Sequence, residues 1–232
     1  MELYFSPMAC SFVVRVVALE TGAALSYTQV ELFARTFTEG GEPYLAAAPF
    51  GQVPVLRLDS GEKLSEVGAI VQLLADARPE CGLLAEVGSE ARYRTLAWLG
   101  FSACELHKRS LWLLANPRAP AAAKAYARAL ADEAFDHLEV HLRGRAYIAT
   151  ERFTLADAHL GWALRVAPLL GADLGERPAL QAYAERISER ASLQEAIAIE
   201  APLLRPALKR QASLLGGTRD VQPIAKKSDT RA

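Results

Sequence analysis

The sequence predicts an α/β domain followed by an all-helical domain. Three observations carry this. Short apolar runs at Leu3–Phe5, Leu25–Phe33, Val55–Leu58 and Lys63–Leu64 alternate with helix-compatible stretches in the first 80 residues. No strand signal appears after Leu64. From Ser89 onward the chain is rich in Ala and Leu and reads as helix throughout. Arg78-Pro79-Glu80-Cys81-Gly82 punctuates the change. The expected organisation is an α/β domain over 1–80, a linker over 81–88, a helical domain over 89–215 and a polar, disordered tail over 216–232.

Each element has a local reason. Leu3-Tyr4-Phe5 is a buried strand that Ser6-Pro7 breaks. Phe12–Glu20 lacks Gly and Pro and reads as a packed helix despite its β-branched valines, and Gly22 stops it. Leu25–Phe33 is the second strand, and 34–50 is irregular. Val55–Leu58 and Lys63–Leu64 form a hairpin across Asp59–Glu62, with Ser60-Gly61 at the turn. Helix follows from Glu66 to about Ala77, with Ser65 as its N-cap. Ser89 caps a long helix to about Ala115, and Asn116–Pro120 ends it. Ala121–Leu142, Thr154–Leu170, Pro178–Ala191 and Ser192–Ile199 complete the helical set.

Composition narrows the function. Of 232 residues, 51% are hydrophobic and the formal net charge is −1. That balance leaves no electrostatic footprint for nucleic acid or an acidic membrane. The three cysteines, Cys10, Cys81 and Cys104, form no CxxC pair or disulfide framework, which fits a reducing compartment. No secretory leader and no spanning segment are expected.

The chemistry concentrates near the N-terminus. Cys10 and Ser11 fall in the turn between the first strand and the first helix. Spare N–H groups and the helix dipole there push a thiol toward thiolate. A small buried filler is the competing reading of Cys10, at even weight. Pro54 in Gly51-Gln-Val-Pro54 cannot lie in mid-sheet, so it marks a strand start or a bend. A cis Val53–Pro54 bond there would turn the backbone groups of Val53 outward, toward an extended peptide. Strand, reactive group at a helix N-terminus, helix and pre-strand proline make a thioredoxin-like arrangement.

Tyr4-Phe-Ser-Pro-Met-Ala-Cys-Ser11, Gly51-Gln-Val-Pro54 and Leu64-Ser-Glu-Val-Gly-Ala-Ile70 resemble the N-terminal domain of glutathione S-transferases. Cys10 is similar to the cysteine of the bacterial beta class. Ser102-Ala-Cys-Glu-Leu-His-Lys108 resembles that class's Glu-Leu-His-Lys run, and Phe153–His159 resembles the family's capping-box motif. The resemblance spans roughly residues 1–200. It implies glutathione as co-substrate, no metal, a cytoplasmic homodimer and a detoxification role. It further implies that Glu66, beside Ser65 and the Val67 N–H, binds the γ-glutamyl amino group. By the same resemblance Val53 pairs with the cysteinyl backbone, His107 faces the thiol, and Arg35 lies near the glycyl carboxylate. Gln52, Pro54 and Lys108 complete the expected glutathione site; Cys10, Ser11 and His107 are the expected catalytic group. From the residues alone, an ordinary capping box is the favoured reading of Glu66, and only the resemblance reverses that; His107 reads as an ordinary helical histidine whose pKa range suits proton exchange.

Thr154-Leu-Ala-Asp157 is a capping box with a structural role. His137 and His141 have metal-ligand spacing but no third ligand. Phe101, Trp112 and Trp162 are candidate walls of an apolar pocket. The chain departs from the family pattern at Ala48-Pro-Phe-Gly51, where the family carries Asn and a polar or cationic residue, and at Met8, where it carries glycine. Two functions follow. One is an enzyme that conjugates glutathione to a small hydrophobic electrophile or reduces it with glutathione, with thiol–disulfide exchange through Cys10 as a further route. The other is a catalytically silent binding protein on the same fold.

Overall fold

The computed structural model describes residues 1–216. Five strands form one sheet: β1 Glu2–Phe5, β2 Ser26–Glu31, β3 Thr36–Phe37, β4 Val55–Arg57 and β5 Lys63–Ser65, in the order β3-β2-β1-β4-β5. β1 runs parallel to β2 with Leu3 opposite Tyr27, and antiparallel to β4 with Leu3 opposite Leu56. The hairpin expected across Asp59–Glu62 is present, pairing Leu56 with Leu64. β3 was not expected: two residues give too little alternation to read. It is held by the edge-on stacking of Phe37 with Tyr4 and Tyr44, in a small core with Val30, Val53 and Val55.

Helix α1 spans Ser11–Thr21 and α2 spans Val67–Asp76. α1 packs against α2, and also against two helices of the second half, Leu155–Val166 and Ala191–Gly216. Phe12, Val13, Val14, Val16 and Val17 are therefore all buried, and a helix enclosed on every side carries β-branched residues without loss. Gly22 closes it in the left-handed region at φ 64°.

The helical half contains α3 Glu90–Phe101, α4 Trp112–Ala115, α5 Ala121–Leu142, α6 Leu155–Val166, α7 Pro178–Ser188 and α8 Ala191–Gly216. Ser89 caps α3 as expected, accepting from the Arg92 N–H. Between α3 and α4 the helix continues through Ser102–Leu111 in the wider π form, visible where the Trp112 N–H reaches back five residues to His107. α8 does not stop at Ile199. It runs through Pro202 and Pro206, whose missing N–H groups cost about 3 kcal/mol each in an isolated helix. Leu203, Leu204 and Ile197 pack on the main core and offset that cost. The expected tail lies outside the described residues, apart from Gly216 at the end of α8.

Asp157 is fully buried at the start of α6. It accepts from the Thr154 N–H (2.8 Å) and hydroxyl (2.7 Å), the Ile148 N–H (2.8 Å) and the Tyr183 hydroxyl (2.8 Å). The capping box thus ties α6, α7 and the 143–154 loop together.

Candidate active site

A cleft of about 570 Å³ opens between the sheet half and the helical half. Its sheet-side wall comes from Ser6–Cys10, Glu31–Arg35 and Phe50–Val53. Its helical wall is formed by His107, Lys108, Leu111, Trp112, Trp162 and Val166, with further leucines above them. The positive-φ residues other than glycine are Met8 (59°), Arg35 (56°) and Glu66 (73°) among the described residues. Met8 and Arg35 line the cleft. Glu66 adjoins it, because Val55 pairs with Ser65 and so Pro54 faces Glu66 across the hairpin. Backbone strain of this kind gathers at functional sites.

Cys10 is the N-cap of α1 and is only 7% exposed. Its thiol donates to the Val53 carbonyl at 3.2 Å. Burial pushes its pKa up to about 11. The charge of Lys108 and the N–H groups of Cys10 and Ser11 pull it down less strongly, and Glu66 adds to the rise. The expectation of a thiolate is therefore corrected: desolvation outweighs the helix N-terminus. Ser11 is corrected too. Its hydroxyl is buried and spans the turn, donating to the Ser6 carbonyl and accepting from the Ser6 N–H, both at 3.2 Å. It shapes the turn and does not line the cleft.

The Val53–Pro54 bond is cis. The Val53 N–H has no acceptor among the described residues, whereas its carbonyl is taken by Cys10, so half of the expected free pair is present. Tyr44, buried in the small core, donates its hydroxyl to the Gln52 carbonyl (2.9 Å) and supports this loop. Lys108 reaches across the cleft to the Gln52 side chain at 2.7 Å. Arg35 packs its side chain over Gly51, where a Cβ would lie 3.0 Å from Arg35 Cδ. Ser65 is not an N-cap. It ends β5, and Glu66, at φ 73°, is the N-cap of α2 and makes no side-chain cap hydrogen bond. Among the described residues the Val67 N–H, at this helix N-terminus, has no acceptor.

His107 lines the cleft but is buried, with its ring edge-on to Trp162 at 4.8 Å. Burial, with His159 and Lys108 nearby, pushes its pKa down to about 3. It is neutral at physiological pH, so the expected proton exchange does not fit; a neutral hydrogen-bonding role does. Phe101 lies away from the cleft, packed on Trp98 and His137. His137 stacks on Trp98, His141 lies tilted against the same ring, and His141 bonds the Ile148 carbonyl, so the pair is structural. Ala48 is buried in the small core, and Phe50 stands 85% exposed at the mouth of the cleft.

Sequence reading missed a clamp on the thiol turn. The Met8 N–H donates to Glu200 of α8 at 2.8 Å, and the Met8 carbonyl accepts from Trp162 Nε1 at 2.9 Å. Glu200 is held in turn by Arg15 of α1 at 2.7 Å, both side chains being buried. Arg15 lies over the Tyr27 ring at 3.7 Å. A glutamate 192 residues from Met8 carries no local signal. Arg15 did carry one: it is a charge inside an otherwise apolar helix, and such a charge needs a partner.

The fold has counterparts among known proteins. A family model described as glutathione S-transferase, N-terminal domain, matches residues 3–82, and one described as glutathione S-transferase, C-terminal domain, matches 101–191. The glutathione S-transferase GstA of Escherichia coli O157:H7 is 36% identical over 200 residues, covering 86% of this chain and 98% of that protein. Among solved structures, a sphingomonad glutathione S-transferase complexed with glutathione shares 38% identity with a TM-score of 0.81, over 87% of this chain and 99% of that one. A beta class enzyme from Sphingomonas chungbukensis shares 35% identity with a TM-score of 0.81, over 86% and 98% of the two chains.

Proposed function

The chain belongs to the glutathione S-transferase family, and from that premise we propose that its cleft binds glutathione and transfers it to a hydrophobic electrophile. When bound, glutathione supplies the nucleophilic thiol. The observation that carries the reading is the buried, unpartnered Val53 N–H beside Cys10, which suits the backbone of an extended peptide.

The residues divide the work. Val53 pairs through its N–H with the peptide backbone. Glu66 receives the γ-glutamyl ammonium, and the Val67 N–H at the start of α2 donates to the neighbouring carboxylate. Arg35 and Lys108 offer cations to the glycyl carboxylate, with Gln52 holding Lys108 in place. Cys10 acts as a neutral thiol. Its proton, directed at the Val53 carbonyl, is available to the incoming sulfur, and the N–H groups of Cys10 and Ser11 favour negative charge there. His107 stays neutral and, with Trp162, keeps water from the reacting sulfur. Glu200 and Trp162 hold the turn that carries Cys10. The polar residues expected at positions 48 and 50 are replaced by Lys108 and Gln52 reaching over the same loop, and this favours an enzyme over a silent binding protein.

A homodimer and a cytoplasmic location complete the reading. The cysteines, all free, support a reducing compartment, and no helix among the described residues is long and apolar enough to cross a membrane. The direct test is the rate of thioether formation from an aryl epoxide and glutathione. A glutathione-dependent rate that falls about tenfold or more in Cys10→Ala is expected. A rate equal to the uncatalysed one would refute the reading.

A further inference from the structure

His159 of α6 is fully buried, and its Nε2 has no hydrogen-bond partner among the described residues. A polar ring atom enclosed in this way is costly unless something meets it. Its other nitrogen is taken: Nδ1 lies 2.7 Å from the hydroxyl of Ser102, itself buried. That hydroxyl has no other acceptor among the described residues, so it donates to Nδ1, and the His159 proton sits on Nε2. The orphan is therefore an N–H donor.

Three rings close around it. Centre to centre, His159 lies 5.9 Å from His107 and 5.3 Å from Trp162, and His107 lies 4.8 Å from Trp162. Trp162 spends its one donor on the Met8 carbonyl. The ring nitrogens of His107 make no hydrogen bond among the described residues. The π segment explains the placement: Ser102 and His107 are one π turn apart, so the segment that bonds His159 at Ser102 brings His107 alongside it. No direct bond joins the two imidazoles, and a separation of 5.9 Å admits one bridging water with two bonds of about 2.8 Å.

We propose that His159 is a positioning residue for His107, acting through one buried water held between the two rings. His159 Nε2–H donates to that water, and the water donates to the inner nitrogen of His107. The proton of the neutral His107 then sits on its other nitrogen, facing the cleft that His107 lines. There it is a fixed donor to the glutathione sulfur and favours the thiolate. Only this last step rests on the glutathione-transferase reading; the water and the two tautomers belong to the free protein. An imidazole without such a partner divides its proton between both nitrogens and offers the sulfur a donor only part of the time.

The test is nitrogen NMR of the full chain, isotope-labelled at its histidine rings, which reads the nitrogen that carries the proton. At neutral pH the wild type should show His159 protonated at Nε2, in contact with a bound water, and His107 in one tautomer. His159→Asn keeps an acceptor for Ser102 but has no atom at the Nε2 position, so His107 should divide between tautomers. His159→Gln returns a donor near that position and should return the single form. Should His159→Asn not fold, Ser102→Ala takes its place with the same expected mixture, since it removes only the hydroxyl that sets the tautomer. His159 bare at Nε2, or a single His107 tautomer persisting in the variant, would overturn the inference. With glutathione and an aryl epoxide, His159→Asn should lower kcat about tenfold at neutral pH and move the acid limb of kcat against pH up by about one unit. The glutathione KM should stay within about twofold, and His159→Gln should recover most of the loss. An unmoved acid limb would overturn the positioning role. If the wild type gives no glutathione-dependent rate, the transferase reading fails, and the tautomers alone decide the inference.

Discussion

The two walls of the cleft recognise by different physics. The sheet-side wall presents backbone groups, charges and strained turns: the Val53 N–H, Arg35 at φ 56° and Gln52, with Glu66 at φ 73° beside them and Lys108 reaching over from the helical wall. Such groups fix the position of one polar molecule, because each must be matched in direction and charge. The helical wall presents Leu111, Trp112, Trp162, Val166 and the leucines of α8. Apolar surface is non-directional and accepts a range of shapes. One wall therefore suits an invariant co-substrate and the other a variable electrophile. Besides the Lys108–Gln52 contact, the clamp on Met8 joins them, and through it the helical half holds the turn that carries Cys10.

The largest expected effect comes from breaking that join. Glu200→Ala leaves Arg15 buried without a partner and the Met8 N–H without an acceptor, and should cost about 3–5 kcal/mol in denaturant unfolding. Glu200→Gln should recover much of it by keeping an acceptor for Met8. Equal losses in the two variants would mean that packing, not the clamp, is at stake. Next is Asp157→Ala, which orphans four donors in the helical half alone. A loss of about 3 kcal/mol, or roughly 6–12 °C in Tm, is expected; an unchanged melt would remove the capping box from the account.

The walls themselves are separated by Trp112→Ala. It should raise the electrophile KM about tenfold while leaving glutathione affinity within about twofold. A matching loss of glutathione affinity would show that the walls do not divide the work. The smallest effect is on pH dependence. His107 and His159 are held neutral by burial, each with its pKa near 3 against an ordinary value of 6.5. The unfolded chain takes up protons first, so stability is complete above pH 6.5 and declines as pH falls toward 3. By pH 6 the loss should be roughly 1 kcal/mol per histidine, removed for one of them in His107→Gln. Cys10 acts in the opposite direction: its neutral thiol favours the fold fully below pH 9, and that share is lost as pH rises through about 11.

The sequence made the sheet-side wall legible because its signals are local. Pro54, the break at Ser6-Pro7 and the Ser60-Gly61 turn each dictate backbone geometry within a few residues. The helical framework was equally open at Ser89 and at Thr154–Asp157, where caps sit in fixed spacing. What could not be read is tertiary. The buried state of Cys10, which reverses the expected shift of its thiol, depends on how Met8 and α8 close over the turn. The pairing of Arg15 with Glu200 spans most of the chain. α8 passes two prolines because leucines beyond Pro202 find a core to pack on, and a proline rule applied to an isolated helix stops it short. The π segment that places His107 and Lys108 side by side on the cleft carries no compositional mark.

The central claim is that the sheet-side wall is a glutathione site, and calorimetric titration of the reduced protein with glutathione tests it most directly, alongside Glu66→Ala. Saturable binding is expected, weakened in the variant by about 1.5–3 kcal/mol, the worth of a hydrogen bond to a charged group. Equal affinity in the two proteins, or no heat up to millimolar glutathione, would contradict it.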